Sequence, residues 1–323
     1  MAGMRSAHVV ALGGGHGLAA SLSALRNVTE ELTAIVTVAD DGGSSGRLRR
    51  ELGVLPPGDL RMALAALCGD DEWGATWSKV VQHRFAAEGD LHNHAVGNLL
   101  IVALWELLGD TVTGLDWVGR LLGARGRVLP MSAVPMDIEA TVEGLDPDDP
   151  EALTRVRGQV AVATTRGRVR DITLVPADPP ACAEAVEAVC TADWVVFGPG
   201  SWFTSVLPHL MVPDLAHAIC TTGARRVLTL NLEPQQGETT GFSPQDYLEV
   251  LRAHTPDLRL DVVLADSDAV TDVDALRKAV EDAGAELVLA SVAMGDGTPR
   301  HDPAKLAVAY TDIFTRGRID TWR

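Results

Sequence analysis

Lysine is nearly missing. Lys79, Lys278 and Lys305 are the only three in 323 residues, so almost all of the 27 basic side chains are arginines. Arginine suits planar, bidentate recognition of phosphate or carboxylate, where lysine offers a point charge. Positive charge is itself scarce: 44 Asp and Glu residues give a formal charge of −17 and a pI near 4.8. A surface of that sign repels nucleic-acid phosphates and anionic lipid, which argues against nucleic acid as a partner. Aromatic side chains amount to 4%, too few for a platform that stacks single strands. The four cysteines, Cys68, Cys182, Cys190 and Cys220, contain no C-x-x-C pair. That spacing fits neither a structural zinc site nor a disulfide framework, and reduced thiols in a cytoplasm are the simpler expectation. No run approaches the ~20 apolar residues of a membrane span. The N-terminal apolar run breaks at glycines too early for a signal peptide. A cytoplasmic protein without a membrane span is expected.

The 46% of hydrophobic residues are arranged in the rhythm of a parallel α/β protein. His8–Leu12 and Leu32–Ala39 read as buried strands around a helix at Leu18–Leu25, one βαβ unit. Further strands are expected at Gln159–Thr164, Ile172–Val175, Trp194–Phe197, Arg226–Leu232, Leu260–Leu264 and Glu286–Val292. Helices are expected at Pro180–Cys190, Pro244–Arg252 and Asp272–Ala283. Alternating strands and helices predict a Rossmann-like, doubly wound, mostly parallel sheet covered on both faces. Residues 1–323 then form one large α/β domain. Within it, 61–125 reads as a helical insertion, from the periodicity of Ala95–Leu108 and Leu115–Leu122. The stretch 140–176 reads as a small β-hairpin subdomain or flap.

Four loops at the ends of predicted strands carry the chemistry. Gly13-Gly14-Gly15-His16-Gly17 follows the first strand and opens a helix, so bare amides and the positive helix end favour a phosphate. Its spacing matches neither G-x-G-x-x-G nor G-x-x-x-x-G-K-[ST], and a tight turn alone would also call for glycine. Asp40-Asp41-Gly42 leads into Ser44, Ser45 and Arg47. There one carboxylate is expected to cap the next helix while the other faces ligand or metal. Arg47, Arg49, Arg50 and Arg61 suggest an anionic ligand, with Arg49 and Arg50 the most easily explained by solvation. His92-Asn93-His94 precedes a helix. Metal binding by the two histidines competes with the simpler reading of Asn93 as N-cap and Asn98 as a buried hydrogen-bonder. Gly198, Gly200, Ser201 and Thr204 offer amides and hydroxyls after another strand, and Asn231 through Thr239 repeats the design. Neither G-x-S-x-G nor H-E-x-x-H occurs, so no catalytic residue is assigned. Together the loops describe a nucleotide-sized, phosphate-bearing ligand.

These motifs resemble the YvcK family of gluconeogenesis factors, relatives of CofD, the 2-phospho-L-lactate transferase. The resemblance runs through GGGHG (13–17), ADDGGSSGRLR (39–49), LPPGDLR (55–61), HAVGNLL (94–100), GPGSWFTSVLPHL (198–210), GET (237–239) and RHDPAKLA (300–307). His16, Ala95 and the pair Glu233-Pro234 depart from the pattern, where Thr, Ser and Met-Thr are expected. The resemblance implies a cytoplasmic regulator that binds UDP-sugars, notably UDP-N-acetylglucosamine, in support of cell shape and of growth on gluconeogenic carbon. It further implies that Arg300 contacts the nucleotide-sugar. No cofactor is required on this reading, and Mg²⁺, held by Asp40 and Asp41, is a candidate ion. Cell-wall synthesis proteins are candidate partners, and a homo-oligomer is a candidate state. The CofD side implies the alternative, transfer of a phospholactyl-type group from a nucleoside diphosphate to an acceptor.

Overall fold

The structure, a computed structural model, describes residues 6–86 and 88–320. The chain begins β1 (His8–Gly13), α1 (Gly15–Leu25), β2 (Glu31–Val36) and α2 (Gly43–Leu52). Four helices follow, α3 (Gly58–Leu67), α4 (Glu72–Gln82), α5 (Val96–Leu108) and α6 (Thr111–Leu122), before β3 (Arg127–Pro130). Next come β4 (Asp137–Glu143), β5 (Leu153–Arg157), α7 (Gln159–Ala163) and β6 (Arg168–Val175). The last part runs α8 (Ala183–Thr191), β7 (Trp194–Phe197), a π turn at Trp202–Val206, a 3-10 turn at Leu207–Leu210, α9 (Pro213–Thr221), β8 (Arg225–Thr229), α10 (Pro244–His254), β9 (Val262–Asp266), α11 (Val273–Asp282), β10 (Glu286–Ala290) and α12 (Pro303–Asp320).

Seven strands form one sheet in the order β10-β9-β8-β7-β1-β2-β3, with every neighbouring pair parallel. Its central strands are continuous apolar runs because both faces are covered; Val9, Val10, Leu12, Val195 and Val196 are wholly enclosed. From β1 the chain steps outward to β2, whereas from β7 it steps the other way to β8, β9 and β10. Right-handed crossovers therefore place α1 and α9 on opposite faces. The order reverses between β1 and β7, and the crevice beyond the carboxyl ends of those two strands is where ligands of such sheets bind.

The small antiparallel unit expected at 140–176 is a three-stranded sheet, β5-β4-β6. Its central strand, β4, alternates half-buried and buried residues, with Asp137, Glu139 and Glu143 on the half-buried side. The expected strand at Gln159–Thr164 is instead helix α7. A five-residue apolar alternation does not separate strand from helix. The decision comes from outside the segment, where Asp41 Oδ1 accepts the Val160 N–H at 3.0 Å and Gly158 turns the chain at φ 103°. Asn93 is likewise not the cap of α5. It sits at φ 60°, and Ala95 occupies the cap position without a side-chain bond.

Candidate functional site

The loops after β2, β1, β7 and β8 meet at the reversal point. β1 ends at Gly13, Gly14 caps α1, and Gly15 opens the helix at φ 57° with nothing within 4 Å of where a Cβ would point. Gly17 is the opposite case: a Cβ there would overlap the Pro199 carbonyl and lie 2.7 Å from Gly200 Cα. One glycine thus faces open space while its neighbour lets α1 press against the β7 loop. His16 is exposed beside them.

The β7 loop is held from several sides. The Asn231 side chain clasps Gly200, its Oδ1 accepting the Gly200 N–H at 2.9 Å and its Nδ2 donating to the Gly200 carbonyl at 2.8 Å. Ser21 Oγ donates to Gly198 O at 2.9 Å. The same hydroxyl meets Tyr310 Oη at 3.0 Å, and Tyr310 meets Thr229 Oγ1 at 3.0 Å, tying α12 to the loop. Glu238 is buried and accepts from Phe203 N at 2.9 Å and Thr204 Oγ1 at 2.6 Å; burial pushes its carboxyl pKa up. Ser201 Oγ accepts from Gln235 Nε2 at 3.2 Å. Asn231 and Thr204 therefore shape the loop through bonds already made.

The β2 side is ionic. Asp40 Oδ1 accepts the Gly42 N–H at 2.9 Å, and its Oδ2 faces Gly58. Asp59, in the first turn of α3, lies against Gly14 and the Gly15 amide; burial first, then the Asp40 charge, push its carboxyl up to about 7. Two carboxyls so placed favour sharing a proton or a cation. Arg61 is 3% exposed, donates from Nε to Asn98 Oδ1 at 2.9 Å, and has no partner for its NH1. Burial and then Arg84 draw its pKa down to about 10. Asn98 Nδ2 donates to Ser44 Oγ at 3.0 Å and to Ser45 Oγ at 3.5 Å, and Ser44 Oγ meets His94 Nδ1 at 3.0 Å. His94 is spent in this network, and its pKa is lowered chiefly by burial.

Three expected residues serve elsewhere. Asp41 does not cap α2, whose cap is Gly42 without a side-chain bond; its Oδ1 instead accepts the Val160 N–H in the first turn of α7. Arg47 donates to the carbonyls of Asp90 at 3.2 Å and His92 at 2.6 Å. Arg300 is 66% exposed and pairs with Asp296 at 3.0 Å, on a loop pinned by Asp266, which accepts Val292 N at 2.7 Å and Ala293 N at 2.9 Å. Among the described residues, no group of three or more His, Cys, Asp or Glu is assembled to hold a metal. A cation at Asp40 and Asp59 would rely on its ligand for further oxygens. Asp59 and Glu238 went unassigned in the sequence although LPPGDLR and GET contain them, whereas Arg61 was read with its neighbouring arginines as facing an anionic ligand. The signal for the two acids was a carboxylate side chain directly after a glycine inside each motif. A concavity of about 920 Å³, lined by Ser6, Arg26, Asn27 and Arg125 among others, lies at the amino ends of the strands and shares none of these residues.

The pattern of the family described as "2-phospho-L-lactate transferase CofD" matches residues 9–297, nearly the whole of the sheet and all four loops. The chain belongs to the CofD family. Within that family its relatives are gluconeogenesis factors of the YvcK type. A Mycobacterium tuberculosis (strain ATCC 25618 / H37Rv) protein named "Putative gluconeogenesis factor" is 52% identical over 311 residues, 95% of this chain and 90% of its own length. The "Gluconeogenesis factor" of Halalkalibacterium halodurans is 37% identical over 280 residues, 87% of this chain and 84% of that protein. A crystal structure of a UPF0052 family member from Bacillus halodurans superposes with a TM-score of 0.83 at 33% identity, covering 95% of this chain and 99% of that one. No helix among the described residues is long and apolar enough to cross a membrane.

Proposed function

We propose that this CofD-family protein binds a UDP-sugar, UDP-N-acetylglucosamine by its resemblance to the YvcK type, and acts as a cytoplasmic regulator of cell-wall synthesis and cell shape. The observation that carries the reading is the open face of Gly15 at the point where the sheet order reverses, opposite Gly200. The diphosphate sits on the open face of Gly15, flanked by Gly13, Gly14 and Gly200, with Ser201 beside it and His16 and Gly17 bordering the helix start. Asp40 takes the ribose hydroxyls or a Mg²⁺ carried in with the diphosphate, as a carboxylate at this strand end does in related sheets. Asp41, Gly42, Ser44, Ser45, Arg47 and Asn98 hold that loop in shape, and Thr204 and Asn231 do the same for the β7 loop. Arg300 reaches the ligand by leaving Asp296. Calorimetric titration with UDP-N-acetylglucosamine, GDP and NAD in parallel, with and without Mg²⁺, tests it. The expected result is binding of the UDP-sugar and at least tenfold weaker binding of the other two; equal affinities for all three would end the assignment.

The Asp40–Asp59 pair favours a second reading, a CofD-like transferase in which that pair holds a divalent ion on a nucleoside diphosphate ester. Release of UMP or GMP, the half left when the distal phosphate moves to the acceptor, with a matching phosphodiester product over hours would establish turnover and displace the regulator reading.

A further inference from the structure

On the β8 side of the crevice lies a group of enclosed polar atoms that the reading above does not use. Trp202 Nε1, Thr165 Oγ1, Gln235 Oε1 and Gln159 Oε1 have no hydrogen-bond partner. Trp202 is 2% exposed and Thr165 8%. Leaving such a group buried and unpaired costs about 1–3 kcal/mol each, so several in one neighbourhood call for an occupant that bonds them. They are neighbours through mapped contacts. Gln235 reaches Ser201, next to Trp202, through its Nε2. Its backbone N–H donates to Thr239 Oγ1 at 2.8 Å, Thr239 Oγ1 meets Tyr247 Oη at 3.0 Å, and the Tyr247 ring meets Trp202 edge to face at 5.0 Å. From the other side, the Gly237 position abuts the Ala163 and Thr165 carbonyls, 2.5 and 3.0 Å from where a Cβ would stand. α7 thus lies across the 235–239 loop, with Gln159 at its start and Thr165 just past its end.

We propose that α7 and the 235–239 loop enclose a subsite for an uncharged portion of the ligand rich in hydroxyls and amides, the sugar half of a nucleotide-sugar. This inference rests on the UDP-sugar reading. The chemistry selects the moiety: one indole donor, two amide oxygens and one hydroxyl are offered, with aromatic rings behind them, and this is how sites for neutral polar ligands are lined. The nearby carboxylate, Glu238, is already spent on Phe203 and Thr204, so the wall offers no free charge to a phosphate. The other wall, at β2, holds the carboxylates suited to ribose, and the two halves of the ligand then lie to either side of the diphosphate. Because the unpaired atoms are enclosed, α7 must lift to admit the sugar. Opening breaks the Asp41–Val160 bond that joins α7 to the β2 loop and uncovers Val162, which is wholly enclosed.

The test compares UDP with UDP-N-acetylglucosamine on the wild type, Thr165→Val and Trp202→Phe. Each substitution deletes an unpaired group and no mapped hydrogen bond. The gain in affinity that the sugar gives over UDP should fall about tenfold in each variant while the Kd for UDP stays constant. The ligand-free Tm of Thr165→Val, nearly isosteric, should equal or exceed that of the wild type. An unchanged sugar gain, a parallel loss for UDP, or a lowered ligand-free Tm for Thr165→Val would overturn the subsite. A wild type that binds UDP with no gain from the sugar overturns this inference alone. A wild type that binds neither overturns the nucleotide reading with it.

Discussion

Around β2 the crevice wall is made of charge: Asp40 faces Asp59, and the Arg61 guanidinium lies buried with an unused NH1. Around β8 it is made of amides and hydroxyls, with Asn231 clasping Gly200 and Glu238 consumed by Phe203 and Thr204. The ionic wall is pH-sensitive, because close carboxyls and a buried guanidinium with one free N–H group are stabilised by whatever charge joins them. The neutral wall is pre-shaped by short hydrogen bonds. A ligand with a diphosphate at one end and a neutral polar group at the other meets both demands.

Several experiments would break or sharpen that contrast. The largest effect is expected at Gly17, where even alanine puts a Cβ into the Pro199 carbonyl. With backbone on both sides no rotamer relieves it, so Gly17→Ala should cost at least about 3 kcal/mol in chemical denaturation. Stability within about 0.5 kcal/mol of wild type would mean that the α1–β7 loop contact is loose. On the neutral wall, Glu238→Ala leaves the Phe203 amide and Thr204 hydroxyl unpaired, at a cost of roughly 2 kcal/mol. A wild-type melting temperature would show that water replaces the carboxylate freely.

The ionic wall predicts a pH signature. The folded-state pKa of Asp59 is raised above its ordinary value of 3.8 to about 7, so the folded protein binds that proton more tightly than the unfolded chain. Its contribution is present below about pH 4 and is lost as pH rises to about 7. Asp59→Asn cannot ionise. Against wild type it should be more stable at pH 8, on the order of 2 kcal/mol, with the difference shrinking toward pH 4. A difference that does not vary between pH 4 and 8 would mean that neither burial nor Asp40 raises the Asp59 carboxyl. The smallest effect on stability is expected at Arg300, an exposed residue paired only within its own loop. Arg300→Ala should leave Tm unchanged while lowering UDP-sugar affinity about tenfold. If affinity also stays the same, Arg300 is a surface ion pair and nothing more.

The central sheet was legible because strands buried on both faces are uninterrupted apolar runs, and Val9–Leu12 or Trp194–Phe197 admit few other readings. The helix α7 was not, since the bond that Asp41 accepts from it spans 119 residues. The same distance effect divides the site. Gly15, Asp40 and Gly200 announce themselves locally, by loop composition after a strand. Asp59, Arg61 and Glu238 acquire their character only when the fold sets one acid beside another, buries a guanidinium or directs a carboxylate onto a distant amide. Asp41 shows the converse, an apparent ligand residue that the fold uses to bond the first turn of α7.

The most direct measurement is the affinity of Gly15→Ala for UDP-N-acetylglucosamine. The methyl group enters open space at φ 57°, so the fold should persist with a backbone cost of about 1–2 kcal/mol. If the diphosphate seats on that face, affinity falls at least tenfold, about 1.4 kcal/mol. A folded Gly15→Ala protein that binds the UDP-sugar as tightly as wild type would contradict the account.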